Sequence, residues 1–306
     1  MAITAAMVKE LREKTQAGMM DCKKALNETN GDLDAAADWL RTKGIAKAGK
    51  KASRIAAEGL VAAASNGTKG VVVEVNSETD FVARNEQFQD VVGRIATRAL
   101  DFDSTEALAN AEFDGGKTTT EYLTELVGTI GENMSFRRME TLEVEQGVVE
   151  SYIHNAVKDG MGKIGVLVAL ETDGDAEEVK PIAKKIAMHV AATSPLANTV
   201  DDLDDAVVAK EREMLKAEAL ESGKPEAIVD KMVEGRMQKF FKESVLATQI
   251  FVMDGERTVE KMLEDESKAH GSKITLAGFV RMAVGEGIEK KEEDFAAEVA
   301  KTVKGE

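Results

Sequence analysis

One cysteine, three prolines and three histidines in 306 residues leave little material for several familiar chemistries. Cys22 cannot close an internal disulfide by itself, which fits a reducing, cytoplasmic setting and excludes thiolate metal clusters. With so few prolines and no low-complexity tract, long disordered linkers are not expected. His154, His189 and His270 lie far apart and in no HExxH spacing, which argues against a catalytic zinc centre. His189 sits in the apolar helical run Ile186-Ala-Met-His-Val-Ala-Ala192 and reads as a satisfied core histidine. His154 closes a strand before a glycine-containing loop, where exposure is expected and structural and contact roles both stay open. There is no GxSxG elbow and no Cys/His pairing around Cys22. No apolar segment approaches 18 residues, so no membrane span is expected. Residues 1–9 lack the basic start and apolar run of a signal peptide.

One string does imitate a reactive motif. Ala111-Glu-Phe-Asp-Gly-Gly116-Lys117-Thr118 matches a permissive phosphate-loop pattern, with alanine at the first glycine position. Such a loop follows a buried strand, so that backbone amides converge on phosphate where the next helix begins. Here residues 104–110 are polar and helix-prone, and Glu112 and Asp114 would face the phosphates. The acidic clusters 201–205 and 173–175 lack the glycine and terminal glutamate of a calcium loop. Without a reactive centre, the chain is expected to bind rather than to catalyse, with no cofactor or metal of its own.

What is present is 43 % hydrophobic and 31 % charged, enough for two or three domains with a sizeable core. The net charge of −16 is uneven: residues 1–58 carry 11 Lys and Arg against 8 Asp and Glu, leaving the remainder at −19. An acidic body of that kind repels nucleic acid. The basic run Arg41, Lys43, Lys47, Lys50, Lys51 and Arg54 contains no acidic residue. It reads as a solvated helix end leading into a linker, or as a docking patch for an acidic protein surface that would include Lys51. RNA binding is the third reading, weakened because no aromatic residue interleaves the run to stack bases.

Hydrophobic spacing divides the chain. Residues 1–55 predict three short helices: one capped by Thr4, one capped by Asp21, and one beginning at Asp32 with Leu33, Ala36, Trp39 and Leu40 inward. Met19 and Met20 fall between the first two, suited equally to core packing and to an adaptable partner contact. Residues 56–145 begin with two apolar strands around Asn66-Gly67, a hairpin signal, and then a helix with Phe88, Val91, Val92, Ile95 and Leu100 on one face. The pattern returns weakly later, with strands at 147–154 and 164–170 before a helix carrying Val179, Ile182, Ile186 and Val190. Two related α+β subdomains with antiparallel sheets are inferred, the second comprising 146–200 and 243–272. Residues 201–242 read as a helical hairpin broken at Ser222-Gly-Lys-Pro225. Residues 273–306 read as a C-terminal module, a strand followed by a helix with Phe295, Val299 and Val303.

The most informative stretch is Val71-Val-Val-Glu-Val-Asn-Ser-Glu-Thr-Asp80-Phe81-Val82-Ala-Arg-Asn85, an apolar strand ending in a polar loop that sets a carboxylate beside a phenyl ring. Exposed phenyl surface leaves roughly 25 cal/mol per Å² ungained. Within one domain such a ring usually folds back into the core; the sharper alternative is that it enters a partner, since functional groups concentrate on loops of rigid scaffolds.

Seven strings occur in the order of one family: Val8-Lys-Glu-Leu-Arg12, Ala17-Gly-Met-Met-Asp-Cys-Lys-Lys-Ala-Leu26, Thr79-Asp-Phe-Val82, Ile186-Ala-Met-His-Val190, Gly223-Lys-Pro225, Met232-Val-Glu-Gly-Arg236 and Val284-Gly-Glu-Gly-Ile288. On these the chain resembles the bacterial translation elongation factor Ts family, nucleotide exchange factors of the GTPase elongation factor Tu. Gln16 departs from the usual glycine, residues 155–163 form a slightly long loop, and 101–120 have no evident counterpart. The resemblance implies a UBA-like (ubiquitin-associated-like) N-terminal domain, a two-part core, a helical-hairpin dimerisation domain and a C-terminal module. It also implies that Thr79, Asp80, Phe81 and Val82 disturb the partner's Mg2+ and phosphate site, while Arg12, Met19, Met20, Lys23 and His154 make further contacts. Binding to membrane or directly to nucleic acid is not expected.

Overall fold

A computed structural model describes residues 3–15, 17–221 and 225–289. Gln16, residues 222–224 of the hairpin break and the closing helix expected around Phe295, Val299 and Val303 lie outside the described residues.

Thr4 accepts the Met7 amide at 3.3 Å and opens α1 (Ala5–Thr15). The second helix, α2 (Met19–Glu28), begins after the extended Gly18 and not at Asp21. Asp21 lies in its first turn, where a carboxylate favours the amino end of the helix dipole, and pairs with Lys47 at 3.2 Å. Met19 and Met20 are thus helical, not part of a connection. Asn30 and Gly31 turn the chain with φ of 55° and 87°, and Asp32 caps α3 (Leu33–Lys51) through the amides of Asp34 and Ala35. Leu11, Cys22, Ala25, Leu26 and Ala36 form the small core, flanked by Leu33, Trp39 and Leu40. Burial raises the Cys22 thiol, a shift the Thr15 hydrogen bond partly offsets.

The Asn66-Gly67 signal is realised. β1 (Glu58–Ser65) and β2 (Lys69–Ser77) pair antiparallel across a turn in which Gly67 has φ 106°. Helix α4 (Glu86–Ala99) follows, burying Phe88, Val91, Val92 and Ile95. Short α5 (Thr105–Asn110), β3 (Glu112–Asp114) and β4 (Lys117–Thr118) precede α6 (Thr119–Ile130). The phosphate-loop imitation is the β3–β4 turn. Its Gly116 amide donates to Glu112 and its Lys117 pairs with Glu125, so both groups already face carboxylates. β5 (Met134–Glu143) then pairs with β2, and together with β7 (Met161–Gly162) completes the order β5-β2-β1-β7.

The second sheet has the order β6 (Gly147–His154), β8 (Ile164–Thr172), β9 (Ile274–Ala283), covered by α7 (Ala176–Thr193) and α10 (Val259–His270). Both halves therefore repeat hairpin then helix, as the spacing predicts. β9, expected in a separate C-terminal module, is hydrogen-bonded along β8 and is integral to this sheet. Leu60, Val71, Val73 and Val75 face α4 and α6, whereas Val61 and Val72 face Val149, Leu167 and Met282 of the other sheet. The alternation of side chains along each strand thus yields a helix–sheet–sheet–helix stack. Contact between the sheets is tight: a Cβ on Gly165 would lie 2.6 Å from Val61.

Between α7 and β9 the hairpin α8 (Asp205–Glu221) and α9 (Glu226–Ser244) projects. It buries Ala219, Val229, Val233 and Met237 against each other, with Leu215, Phe240 and Phe241 beside them. Arg212–Glu234 and Arg236–Glu218 ion pairs, at 3.2 and 2.8 Å, link the two helices.

Candidate functional site

At the end of β2 the chain enters the 78–85 loop through a series of fixed contacts. Ser77 Oγ donates to the Thr79 carbonyl at 2.9 Å. The Glu132 carboxylate accepts the Thr79 amide at 2.9 Å and its hydroxyl at 2.7 Å. Glu78 receives the Asn133 amide and pairs with Arg54 at 3.3 Å. A 3-10 turn over Val82–Arg84 follows, and Asn85 caps α4 by accepting the Gln87 and Phe88 amides at 2.9 and 3.2 Å. Gln89 closes the circuit with a 2.9 Å bond to the Ala83 carbonyl.

This frame decides where the ring goes. Val82 and Ala83 are buried in the core at 4 % and 2 % exposure, while Phe81 is 77 % exposed and Asp80 is exposed beside it. Phe81 has φ −63° and ψ −36°, an ordinary helical conformation, so no backbone strain forces the ring outward. The family resemblance groups four residues here, and the structure separates them. Asp80 and Phe81 face outward, Thr79 is held by Glu132, and Val82 anchors the loop from inside, out of any partner's reach.

Of the other expected contacts, Met19 and Met20 are 60 % and 75 % exposed on the first turn of α2, and Arg12 and Lys23 are exposed. His154 is exposed at the end of β6, its Nδ1 3.2 Å from the Tyr152 hydroxyl. Lys51 is different. It is half-buried and donates to the Gly131 carbonyl at the end of α6, which makes it an internal support instead of a free docking group. The basic run from Arg41 to Lys51 is the far half of α3, with Arg54 in the bend after it: Gly44 and Ala48 are buried between its charges, Arg41 pairs with Asp38, and Lys47 pairs with Asp21. His189 is fully buried. Its Nδ1 accepts the Val252 amide at 3.2 Å, which makes Nε2 the donor to Gln249 Oε1 at 2.9 Å, and burial lowers its basicity. Among the described residues no group of three or more His, Cys, Asp or Glu could hold a metal ion.

Two features escape sequence reasoning. Glu132 and Asn133 grip a loop about fifty positions earlier, and no local pattern marks them. Glu74, on a strand expected to be apolar, is fully buried and accepts Arg137 at 3.0 Å, Arg138 at 2.6 Å, Asn76 at 2.9 Å and the Gly285 amide at 2.7 Å. Burial alone would raise its carboxyl; the Gly285, Asn76 and Arg138 hydrogen bonds outweigh that and hold it below the usual range. The two arginines converge because β5 is bulged opposite Glu74 and Val75: Val75 pairs Phe136 while Glu74 pairs Arg138, so Arg137 is the extra residue.

The described residues thus present an exposed aromatic ring on a multiply braced loop and two exposed methionines on the first turn of α2. The profile described as Elongation factor TS matches residues 78–286. The full chain is similar to proteins called Elongation factor Ts from Brucella anthropi (59 % identity over 306 residues), Bartonella tribocorum (56 % over 307) and Bartonella bacilliformis (57 % over 307), covering 100 % of both sequences in each case. The chain belongs to the elongation factor Ts family, a family of translation elongation factors.

Proposed function

We propose that this chain is a guanine nucleotide exchange factor, not an enzyme of bond chemistry, that binds GDP-loaded elongation factor Tu in the cytoplasm and hastens GDP release. The observation that carries this reading is Phe81, 77 % exposed on a loop whose neighbours Val82 and Ala83 are locked in the core. A GTPase holds its nucleotide through a phosphate cradle and a Mg2+ ion that demands near-ideal octahedral oxygen geometry. A ring driven between partner elements spoils that geometry, and the adjacent Asp80 carboxylate competes with the phosphates for the cation or for a backbone amide that holds them. The ion leaves, phosphate repulsion is no longer neutralised, and GDP dissociates. Linkage makes the effect reciprocal, so incoming nucleotide weakens the factor's hold by the same ratio.

Support for partner contacts at Arg12, Met19, Met20, Lys23 and His154 is their exposure. The hairpin leaves Val207, Met214, Leu220 and Ile228 exposed, and we assign this outer face to contact with a second copy of the chain. Direct RNA binding is disfavoured by the internal pairing of Arg41, Lys47, Lys51 and Arg54. The test is Phe81→Ala. Its Tm stays at the wild-type value and partner binding persists in part, while stopped-flow release of labelled GDP from the partner slows tenfold or more. Unchanged release places the lever elsewhere.

A further inference from the structure

Helices α3 and α6 cross where each carries a glycine. A Cβ built on Gly128 would sit 2.6 Å from the Gly44 Cα and 3.1 and 3.2 Å from its carbonyl carbon and oxygen, so the backbones touch with no room for a methyl group. Both positions are helical, where glycine is inferior to alanine. The close approach, not the backbone conformation, is what glycine serves here. Along the same face of α3, Ala48 is buried in the core cluster, and Lys51 donates to the Gly131 carbonyl. The next residue of that segment, Glu132, clamps Thr79, and the one after it, Asn133, donates its backbone amide to Glu78 and its side-chain amide to the Arg54 carbonyl at 2.8 Å. Three consecutive residues therefore hold the last helix of the N-terminal domain and the Phe81 loop.

We propose that the carboxyl-terminal end of α6 and the three residues after it, 128–133, form a common seat that fixes the N-terminal domain and the Phe81 loop in one register, with Gly128 its positioning residue. The inference rests on the exchange reading above and deepens it. Two contact sites held at a set spacing make the second contact with a partner intramolecular, and that gain is lost when the geometry slips. Gly128 touches no partner; it acts through the placement of α2.

Gly128→Ala tests this, with Gly49→Ala as the matched change, because a Cβ at Gly49, also on α3, meets nothing within 4 Å. Spin labels go on Lys9→Cys in α1 and Asp103→Cys in the core, both exposed, since the fully buried Cys22 stays unlabelled. Gly128→Ala shifts and broadens the label distance, and raises the factor concentration for half-maximal GDP release at least tenfold. The maximal release rate stays within about twofold, because the loop itself is intact. A general loss of core structure would instead depress the maximal rate. Gly49→Ala matches wild type in both readouts. Gly44→Leu, which disturbs the crossing from the N-terminal side and spares the core, reproduces the Gly128→Ala result should that variant fail to fold. A folded Gly128→Ala or Gly44→Leu with the wild-type label distance and half-maximal concentration overturns the proposal. A wild-type chain that fails to hasten GDP release sinks the exchange reading instead, and the label distances still judge the seat.

Discussion

Phe81 and Val82 are adjacent, both large and apolar, yet 77 % and 4 % exposed. The sequence shows the pair but leaves open which one folds inward. Glu132 resolves it, by holding Thr79 from 53 positions away, and separations of that kind leave no trace in local spacing. Glu74 is the second residue whose surroundings are invisible in the chain. Its loss leaves Arg137 and Arg138 without their shared partner and the Gly285 amide unsatisfied. Glu74→Ala is expected to cost about 3 kcal/mol in urea denaturation, the lower end for breaking a buried ion pair, since both arginines keep some solvent access. Because the folded Glu74 carboxyl is depressed, its contribution is fully present above its ordinary value of 4.5 and is lost as pH falls through the lower folded value. His189, by contrast, was legible: an apolar run around one histidine signals a buried, hydrogen-bonded ring, and that is what Gln249 and Val252 provide. With its folded basicity lowered, the unfolded chain binds the proton first. The His189 contribution to stability is therefore present above the ordinary value of 6.5 and is lost as pH falls below it; urea midpoints of His189→Gln measured between pH 7.5 and 5.5 are expected to show a shallower decline than wild type.

Among the elements, those with strong periodicity or turn chemistry were readable: the β1–β2 hairpin from Asn66-Gly67, α4 from its apolar stripe, and α3 from the Asp32 cap. The start of α2 was not, because glycine caps it with no side-chain bond to advertise the position. β5 was also missed. Its bulge places Arg137 out of step, so Met134, Phe136 and Met139 break the alternation that marks a strand. β7 spans two residues and is too short to carry any period. Asn85 serves two elements at once, closing the 3-10 turn with its amide and capping α4 with its side chain. Asn85→Ala is expected to lower stability by about 1 kcal/mol in thermal or urea denaturation. It also frees the loop, which amide hydrogen exchange across residues 79–88 detects as faster exchange.

At the scale of the molecule, α8 and α9 leave and rejoin the body at neighbouring points: Ala197 bridges Val245, and the Leu246 amide donates to the Ala197 carbonyl at 2.9 Å. The hairpin has its own apolar interior, and outside it Val208, Phe240 and Phe241 cover the small cluster of Ala197, Leu203 and Val245 at its base, apart from the two sheet cores. Replacing residues 205–243 by a short glycine-serine link is expected to leave the melting of the two sheets nearly intact and GDP release active. On the proposed contact between copies through the hairpin, sedimentation is expected to report a dimer for the full chain and a monomer for this variant. The layered stack itself was legible as two repeated units, but the face-to-face seam between their sheets was not, since strands buried on both faces read simply as apolar runs.

The order in which these parts reach the solvent during synthesis has its own consequence. The amino-terminal sheet buries Glu74 early, yet one of that carboxylate's ligands is the amide of residue 285, and β8 waits for β9 at 274–283 to cover its open edge. A nascent chain made from its amino end therefore carries a bare strand until β9 has been added and an unfinished charged pocket until residue 285 has been added. A member of the machinery that lengthens polypeptides cannot seal its own interior until its own lengthening has passed residue 285.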